Sequence, residues 1–386
     1  MISKAKRLND VKEYYFSVKL REVAALRNAG KPIINLAIGS PDLNPPPSVV
    51  EAIKNAMELP TAHQYQSYQG IPELREGIAN FYKTNFNVSL NPANEILPLM
   101  GSKEGIMHIS MAFLNAGDQV LIPNPGYPTY ESVTRLLEAE PVFYALRQET
   151  NWLPNFDEIE KLDLSKVKIM WVNYPHMPTG AVASKEDFEQ LIAFGKKHNI
   201  LIVNDNPYSF VLNDNPISIM ETEGVKEVAI ELNSLSKTFN MAGWRVGMVV
   251  GNAEIIKTIL EVKSNMDSGM FFGIQKGAVE ALKLSEDWFI NQNDIYQKRQ
   301  KIVREIFDAL GCTYNKNYGG LFVWAKLPDG KDATAFTDKL LYENDVFITP
   351  GNIFGSHGEG YIRASLCVSE TVLKEVLNRL STVEIY

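Results

Sequence analysis

A series of short apolar runs recurs between residues 96 and 250, and the segments between successive runs are mostly long enough to form helices. Short apolar runs that alternate with helical segments are typical of strands buried on both faces of a parallel sheet. The runs begin at Ile96 and continue at 119–123, 168–173, 199–203, 228–232 and 246–250. We therefore predict an α/β fold in which helices cover both faces of a mostly parallel sheet.

Length, net charge and cysteine content limit the possible domain number, binding partners and cellular location. The chain has 386 residues and a net charge of −8, so it is long enough for two domains, and nucleic acid or an anionic membrane is an unfavourable partner. Residues 1–10 include basic side chains but no apolar run follows them, and no segment resembles a membrane span. The two cysteines, Cys312 and Cys367, have neither disulfide nor metal-ligand spacing. These features predict a cytoplasmic protein without a metal site.

The segment 233–247 joins two of the apolar runs and contains an unusual group of polar residues. Lys237 follows Ser236 directly, with Ser234 nearby and Arg245 further along the segment. A lysine in an apolar cleft loses its proton readily and can attack a carbonyl to form a Schiff base. Two hydroxyls and a guanidinium suit a phosphate, which arginine binds through two parallel hydrogen bonds. A carbonyl cofactor that carries a phosphate is pyridoxal 5′-phosphate (PLP), although each residue taken singly would fit an ordinary surface loop.

The pattern Ser-x-Ser-Lys followed by Gly-x-Arg-x-Gly resembles the lysine segment of the PLP-dependent aminotransferases of fold type I, class I/II. The resemblance implies a three-layer α/β/α domain whose mostly parallel sheet has about seven strands. It also implies a smaller α+β domain made from both chain ends. On this basis residues 1–45 and 286–386 form the small domain, and residues 46–285 form the large, PLP-binding domain.

The resemblance also assigns the cofactor contacts. It implies that Lys237 carries PLP and that the phosphate is held by Ser102, Lys103, Ser234, Ser236 and Arg245. The glycine turn before Ser102 leads into a predicted helix. The free N–H groups and the positive end of the dipole at the start of a helix favour an anion, independently of the resemblance. Tyr127 has prolines on both sides and would stack on the pyridine ring.

Tyr65 lies five residues before Gly70, which is the spacing at which the family has a tyrosine that reaches the cofactor phosphate of the neighbouring subunit. The resemblance therefore implies a homodimer with shared active sites. For Tyr65 taken alone, an aromatic side chain that packs within a loop is the alternative.

Asp205 follows the apolar run 199–203, at the edge where open parallel sheets bind their ligands. A carboxylate beside the pyridine nitrogen would keep that nitrogen protonated, and a protonated ring is the electron sink that the chemistry needs. The resemblance gives Tyr208 a hydrogen bond to the 3′ oxygen of PLP. An aspartate that only forms a turn is the alternative for Asp205.

The predicted substrate contacts include one departure from the family. The resemblance makes Arg363 the residue that binds the substrate α-carboxylate, with a structural ion pair as the alternative, and puts Gly39 over the substrate. Met177 stands where the family usually has an asparagine that contacts the 3′ oxygen and the substrate carboxylate. Because methionine offers only a weak sulfur acceptor, we expect Asn173 or His176 to compensate, or other residues to bind those oxygens.

These assignments predict an enzyme that transfers an α-amino group from an L-amino acid to a 2-oxo acid in two half-reactions, with Lys237 moving the α-proton. The stretch 264–275 lacks the arginine that aspartate-specific members have there, and it resembles the branch that includes diaminopimelate aminotransferases. The first alternative is another PLP reaction at the same site, such as C–S β-lysis or decarboxylative acyl transfer. A PLP-binding regulatory module is the second, although such proteins usually carry a DNA-binding domain and this chain is acidic.

Overall fold

The computed structural model describes residues 2–381, which form thirteen strands and thirteen α-helices. The strands are β1 (Ile34–Asn35), β2 (Ile96–Leu99), β3 (Gln119–Asn124), β4 (Glu140–Ala145), β5 (Val167–Val172), β6 (Leu201–Asp205), β7 (Ala229–Ser234), β8 (Gly247–Gly251), β9 (Thr313–Tyr314), β10 (Phe322–Lys326), β11 (Val346–Phe347), β12 (Thr349–Pro350) and β13 (Tyr361–Ser365).

The helices lie between these strands for most of the chain, as the alternating pattern predicts. They are α1 (Tyr15–Asn28), α2 (Pro47–Met57), α3 (Pro72–Phe86), α4 (Ser102–Phe113), α5 (Pro128–Leu136), α6 (Phe156–Ile159), α7 (Lys185–His198), α8 (Leu235–Thr238), α9 (Ala253–Lys263), α10 (Phe272–Ala281), α11 (Glu286–Ala309), α12 (Ala333–Asn344) and α13 (Glu370–Leu380). Among residues 2–381, no helix has the length and apolar composition that a membrane crossing requires.

The large sheet has seven strands in the order β2-β8-β7-β6-β5-β3-β4, and only β8 runs antiparallel to its neighbours. Its two faces pack against separate apolar clusters, because successive side chains of a strand point to opposite faces. Val249, for example, belongs to one cluster and Val250 to the other. The predicted α/β class with a mostly parallel sheet covered on both faces is therefore confirmed.

The smaller sheets join the two ends of the chain. β12, β13, β10 and β9 form an antiparallel sheet, and β1 pairs in parallel with β11, about three hundred residues later. This pairing brings the segment after α1 onto the carboxyl-terminal part of the chain. The domain boundaries at residues 45 and 285 stay predictions.

Several of the predicted site residues lie at one edge of the large sheet. Leu99 of β2 pairs with Gly247 of β8, which pairs with Ser234 of β7, so the first turns of α4 and α8 begin at the same edge. β6 ends at Asp205 on this edge, because β6 and β7 are parallel. The carboxyl edge of a parallel sheet is where such folds bind ligands.

Several predicted boundaries differ from the structure. The helix expected over 11–29 begins only at Tyr15, because Tyr14 has a ψ of 127°, which is outside the helical region. The strand expected over 199–203 begins at Leu201, because Asn199 adopts a left-handed conformation (φ 53°) that ends α7. The strand expected over 228–232 extends to Ser234, since the ladder with β8 continues through its polar end.

Candidate active site

A cavity of about 510 Å³ opens at the carboxyl edge of the large sheet. It brings together residues from seven of the segments that the sequence singles out. The predicted residues that line it are Gly39, Ser102, Lys103, Tyr127, Asn173, Asp205, Tyr208, Ser234, Ser236, Lys237, Arg245 and Arg363. Tyr65 is not among them; it lies on the surface, 91% exposed.

Lys237 projects into the cavity from α8, the short helix that follows β7. Its Nζ donates a hydrogen bond to the backbone carbonyl of Gly39 at 2.5 Å. Burial lowers the pKa of the amine, and the neighbouring guanidinium groups of Arg245 and Arg363 lower it further. A side chain at Gly39 would overlap the ring of Phe322, so glycine allows the backbone to pass close to that ring. Lys237 therefore has the properties of a nucleophilic amine.

The phosphate end of the site is built on the first turn of α4. Gly101 precedes the helix with φ 92°, and Ser102 and Lys103 start it, so their N–H groups lie among those without an intrahelical partner. A side chain at Gly101 would overlap the guanidinium of Arg245. One at Gly247 would lie 2.6 Å from the backbone nitrogen of Ser102. The two glycines thus keep open a cradle of N–H groups at a helix start, which is a suitable anion site.

Hydroxyl and guanidinium groups face the same cradle. Nη1 of Arg245 lies 3.4 Å from Oγ of Ser236 and donates to the carbonyl of Ala242 at 2.9 Å. Oγ of Ser234 accepts from the backbone N–H of Ser236 at 3.2 Å and so caps α8. Arg245 itself has a left-handed backbone conformation (φ 58°), which is uncommon for a residue with a side chain.

Asp205 forms the opposite end of the site. Its Oδ2 accepts a hydrogen bond from the hydroxyl of Tyr130 at 2.9 Å, and Tyr130 stacks on Trp171 with ring centroids 4.8 Å apart. Its Oδ1 is buried and has no hydrogen-bond partner among residues 2–381. Burial raises the pKa of this carboxyl to about 6, against a lowering by the Tyr130 hydrogen bond. A buried carboxylate oxygen without a donor is suited to accept the N–H of a protonated pyridine.

Arg363 lies on β13 of the smaller sheet and reaches into the cavity from the other side. Its guanidinium packs 3.8 Å from the ring centroid of Phe322 and 4.6 Å from that of Phe354. Nη2 donates to the carbonyl of Ala37 at 2.7 Å, and Nη1 lies 3.1 Å from Sδ of Met177. Burial lowers the pKa of the guanidinium to about 10. The aromatic walls orient this cation toward the cavity, which is a suitable place for a carboxylate.

Met177 therefore contacts the arginine directly, and the two expected compensating residues are engaged elsewhere. Oδ1 of Asn173 accepts from the Met177 N–H at 2.7 Å, while its Nδ2 donates to the Asp205 carbonyl. His176 does not line the cavity; its Nδ1 lies 2.8 Å from Oγ1 of Thr179, and burial lowers its pKa to about 3. Substrate binding by Asn173 stays a prediction.

Sequence reasoning missed the residues at the start of α1, which form one wall of the cavity. The lining includes Tyr14, Phe16, Ser17 and Leu20, and Nζ of Lys103 lies 4.7 Å from the ring centroid of Tyr14. Sequence reasoning also missed Tyr130, the partner of Asp205. Aromatic residues in both segments could equally well belong to the hydrophobic core. Only their positions in the fold separate these residues from ordinary core residues.

The residues present fit PLP: a lysine amine, an anion cradle at a helix start and a buried carboxylate oxygen without a donor lie on one cavity. The cradle suits the phosphate, Asp205 suits the ring nitrogen, and Lys237 suits the aldehyde.

The amino-acid sequence matches the family model described as aminotransferase class I and II over residues 31–380. It is 41% identical to LL-diaminopimelate aminotransferase of Dehalococcoides mccartyi and 42% identical to that of Maridesulfovibrio salexigens, in each case over 98% of both chains. The fold is similar to that of apo BacF from Bacillus subtilis, with a TM-score of 0.95 and 37% identity over 99% of this chain and 98% of that one. The chain therefore belongs to the class I and II aminotransferases, PLP-dependent enzymes that transfer an amino group between an amino acid and a 2-oxo acid.

Proposed function

We propose that this aminotransferase takes its amino group from an L-amino acid with a charged distal end, and that LL-diaminopimelate is the first candidate. The curated relatives at 41% and 42% identity carry this substrate in their names. The sequence of the 264–275 stretch, which lacks an arginine, supports the same branch over an aspartate-specific one. The acceptor in this proposal is a 2-oxo acid such as 2-oxoglutarate.

The geometry of the cavity supports a role for each residue in this proposal. PLP, when bound, supplies an aldehyde that takes up the amino group and a ring that withdraws electrons from the α-carbon. Nζ of Lys237 would take the α-proton of the substrate as a base and, as an acid, would deliver it to the carbon that carries the aldehyde of the cofactor. The Gly39 carbonyl, at 2.5 Å from Nζ, holds the amine in place while it is free.

The other polar residues bind and orient. Arg363 binds the α-carboxylate of the substrate, because its buried guanidinium faces the cavity and is held by two aromatic rings. Asp205 holds a proton on the ring nitrogen through its buried Oδ1, and Tyr208 donates to the 3′ oxygen. The phosphate binds to the first turn of α4 together with Ser234, Ser236 and Arg245. The α1 wall and Phe322 exclude water from the reacting atoms.

A single observation carries these roles: the Lys237 amine, the Asp205 carboxyl and the Arg363 guanidinium, from two different sheets, face one cavity. The test is Lys237→Ala, which we expect to lower 2-oxo-acid-dependent amino transfer by at least about a thousandfold, because the acid-base group is lost. PLP would then bind without a covalent link. Lys196→Ala is the matched control, because this lysine is partly exposed, pairs with Glu227 and does not line the cavity. Turnover at the wild-type rate in Lys237→Ala would refute the assignment.

The substrate proposal is tested with a panel of amino donors at fixed 2-oxoglutarate. We expect kcat/KM to be highest for LL-diaminopimelate and low for apolar donors. A donor from another chemical class at the top of the panel would overturn the substrate assignment while leaving the transfer reaction in place. Ammonia and pyruvate released from cystathionine, without any acceptor, would instead indicate β-lysis.

We further propose that the chain is a homodimer in which Tyr65 of each subunit reaches the phosphate site of the other. Tyr65 lies far out on the surface beside other exposed apolar side chains, Met266 (57% exposed) and Phe271 (40% exposed). The two loops that carry them are packed together, since a side chain at Gly269 would overlap the carbonyl of Gln66. A second copy of the chain would bury this patch.

Mixed dimers test this arrangement. Tyr65→Phe and Lys237→Ala chains are unfolded, mixed in equal amounts and refolded. If Tyr65 acts in the neighbouring site, each heterodimer regains one site with both native residues, and activity rises to about a quarter of the wild-type value. If Tyr65 acts within its own chain, no complementation occurs and this part of the proposal fails.

A cytoplasmic location completes the proposal. Both cysteines are free and buried, which suits a reducing compartment.

A further inference from the structure

Glu231 is a fully buried carboxylate that the amino-transfer chemistry does not use. It lies in the middle of β7, is 0% exposed, and is not among the residues that line the cavity. Five uncharged groups donate hydrogen bonds to it: Tyr82 Oη at 2.9 Å, Ser218 Oγ at 2.8 Å, Asn204 Nδ2 at 3.0 Å, Asn206 Nδ2 at 3.2 Å and the Ile219 N–H at 3.2 Å. Burial raises the pKa of this carboxyl, and the hydrogen bonds from Ser218, Tyr82, Asn204 and Asn206 oppose that shift by stabilising the charged form.

The two asparagines are the neighbours of Asp205 on either side in the chain. Both donate to the same oxygen, Oε2 of Glu231. Asn204 is the cross-strand partner of Glu231 in the ladder between β6 and β7, so their side chains share one face of the sheet. The Asp205 side chain points to the opposite face, because side chains alternate along a strand. Glu231 therefore holds the backbone of Asp205 from behind the sheet.

The second polar atom of each asparagine is also engaged, so neither side chain is free to rotate. Oδ1 of Asn204 accepts from the Tyr174 N–H at 3.2 Å, and Oδ1 of Asn206 accepts from the Ser209 hydroxyl at 2.5 Å. The Asn206 N–H donates to the Leu232 carbonyl at 2.8 Å. The strand end is thus fixed on both sides of the aspartate.

We propose that Glu231 is a positioning residue for Asp205: it clamps Asn204 and Asn206 so that the aspartate stays aimed into the cavity, and its negative charge favours a proton on the ring nitrogen of the bound cofactor. The proposal rests on the role assigned to Asp205. The same charge raises the pKa of the Asp205 carboxyl, after burial as the main cause and against the Tyr130 hydrogen bond. A second carboxylate behind the first keeps the local field negative at the place where a pyridinium would form.

The test is Glu231→Gln. This substitution removes the negative charge of the carboxylate and places an amide NH₂ among the five groups that donate hydrogen bonds to Glu231. Titration of the apoprotein with PLP is expected to give a Kd about tenfold higher, in line with the loss of a supporting partner behind a ligand-contacting residue. With ¹⁵N-labelled PLP, the resonance of the ring nitrogen is expected to report deprotonation at a pH about one unit lower than in the wild type. Both measurements are independent of turnover.

Ser218→Ala is the matched control. It removes one donor from Oε1 of Glu231, the oxygen that the two asparagines do not contact, and leaves the charge in place. We expect its unfolding midpoint to fall, but its PLP affinity and ¹⁵N titration to stay at the wild-type values. Equal shifts in Glu231→Gln and Ser218→Ala would overturn the proposal, since Glu231 would then act only on stability.

If Glu231→Gln does not fold, Asn206→Ala tests the clamp by itself, because it removes one of the two asparagine hydrogen bonds to Glu231. It is expected to weaken PLP binding without moving the ¹⁵N titration, because the charge of Glu231 remains. Unchanged PLP affinity in this variant would overturn the clamp. A failure of the proposed donor substrate would leave all these binding measurements unaffected, so the two proposals are tested separately.

Discussion

Met177, which stands where the family usually has an asparagine, changes the surroundings of Arg363 but leaves the arginine in place. Nη1 of Arg363 lies 3.1 Å from the Met177 sulfur, so the guanidinium has a weak acceptor where the family usually has an amide. An incoming carboxylate is a far better acceptor than a thioether and would displace this contact. The cost is that methionine donates no hydrogen bond to the substrate, and Arg363 acts without that help.

We therefore expect Met177→Asn to lower the KM for the amino donor. A hydrogen bond from the asparagine amide to the carboxylate contributes about 1 kcal/mol, or roughly fivefold in affinity. Steady-state kinetics with several donor concentrations measure this effect. Met177→Leu is the control, since it keeps the volume and removes only the sulfur. Equal KM values in the two variants would show that the amide does not reach the substrate.

At the scale of the element, α4 carries a second group of polar residues beyond its first turn. Further along it, His108 is buried, with Nε2 3.2 Å from Oε1 of Glu104, and Glu104 also accepts the Met100 N–H at 2.6 Å. One side-chain nitrogen or oxygen atom from each of His108, Glu104 and Asp267 lies within 4.8 Å of the other two. Asp267 in turn pairs at 2.7 Å with Lys263 at the end of α9. These side chains place α4 and the loop that follows α9 close together.

Asp267→Asn should show how much the buried Lys263–Asp267 ion pair contributes to the free energy of unfolding. The Lys263 and Asp267 side chains are 2% and 6% exposed, and removing one partner leaves an ammonium buried without its counter-charge. We expect the free energy of unfolding to fall by about 3–5 kcal/mol. Urea unfolding of the apoprotein measures it.

A surface pair provides the comparison for this variant. Glu280 pairs with Lys283, whose side chain is 61% exposed, so Glu280→Gln should change the free energy of unfolding by less than about 1 kcal/mol. A loss of similar size in both variants would mean that burial of the Lys263–Asp267 pair has no special effect.

For the whole molecule, the cofactor site is expected to reduce the stability of the apoprotein near neutral pH. Burial raises the pKa of Asp205 to about 6, above its ordinary value near 4, so the folded chain binds this proton more tightly than the unfolded chain. The stability from this group is present at low pH and is lost as the pH rises through about 6. Above that pH the ionised carboxylate is buried without a full set of partners.

Asp205→Asn should therefore raise the unfolding midpoint of the apoprotein at pH 8, and the difference should disappear near pH 4, where the native carboxyl is protonated. Saturating PLP should reverse the order, because the native aspartate then has the ring nitrogen as its partner. Thermal unfolding at the two pH values, with and without PLP, measures both effects. Asp329→Asn, at a fully exposed carboxylate, is the control. An apoprotein variant less stable than the wild type at pH 8 would contradict this account.

The amino-acid sequence by itself determined the class of fold and pointed to twelve of the residues that line the cavity. Apolar runs between helices record burial on both faces of a sheet, and the group around Lys237 keeps its chemistry within a short segment, so both can be found from local pattern. Strand ends were less well predicted, because polar residues such as Asn204 and Asp205 continue the ladder beyond the apolar run.

Only the tertiary structure decided which distant side chains meet. Met177 and Arg363 are 186 residues apart in the chain, and Glu231 and Tyr82 are 149 apart, yet each pair is in direct contact. Local periodicity says that a residue is buried but not what it faces. That is set by strand order and by the position of the smaller sheet at the cavity edge of the larger one. Both arrangements reduce exposed apolar surface and unpaired polar groups over the whole chain at once.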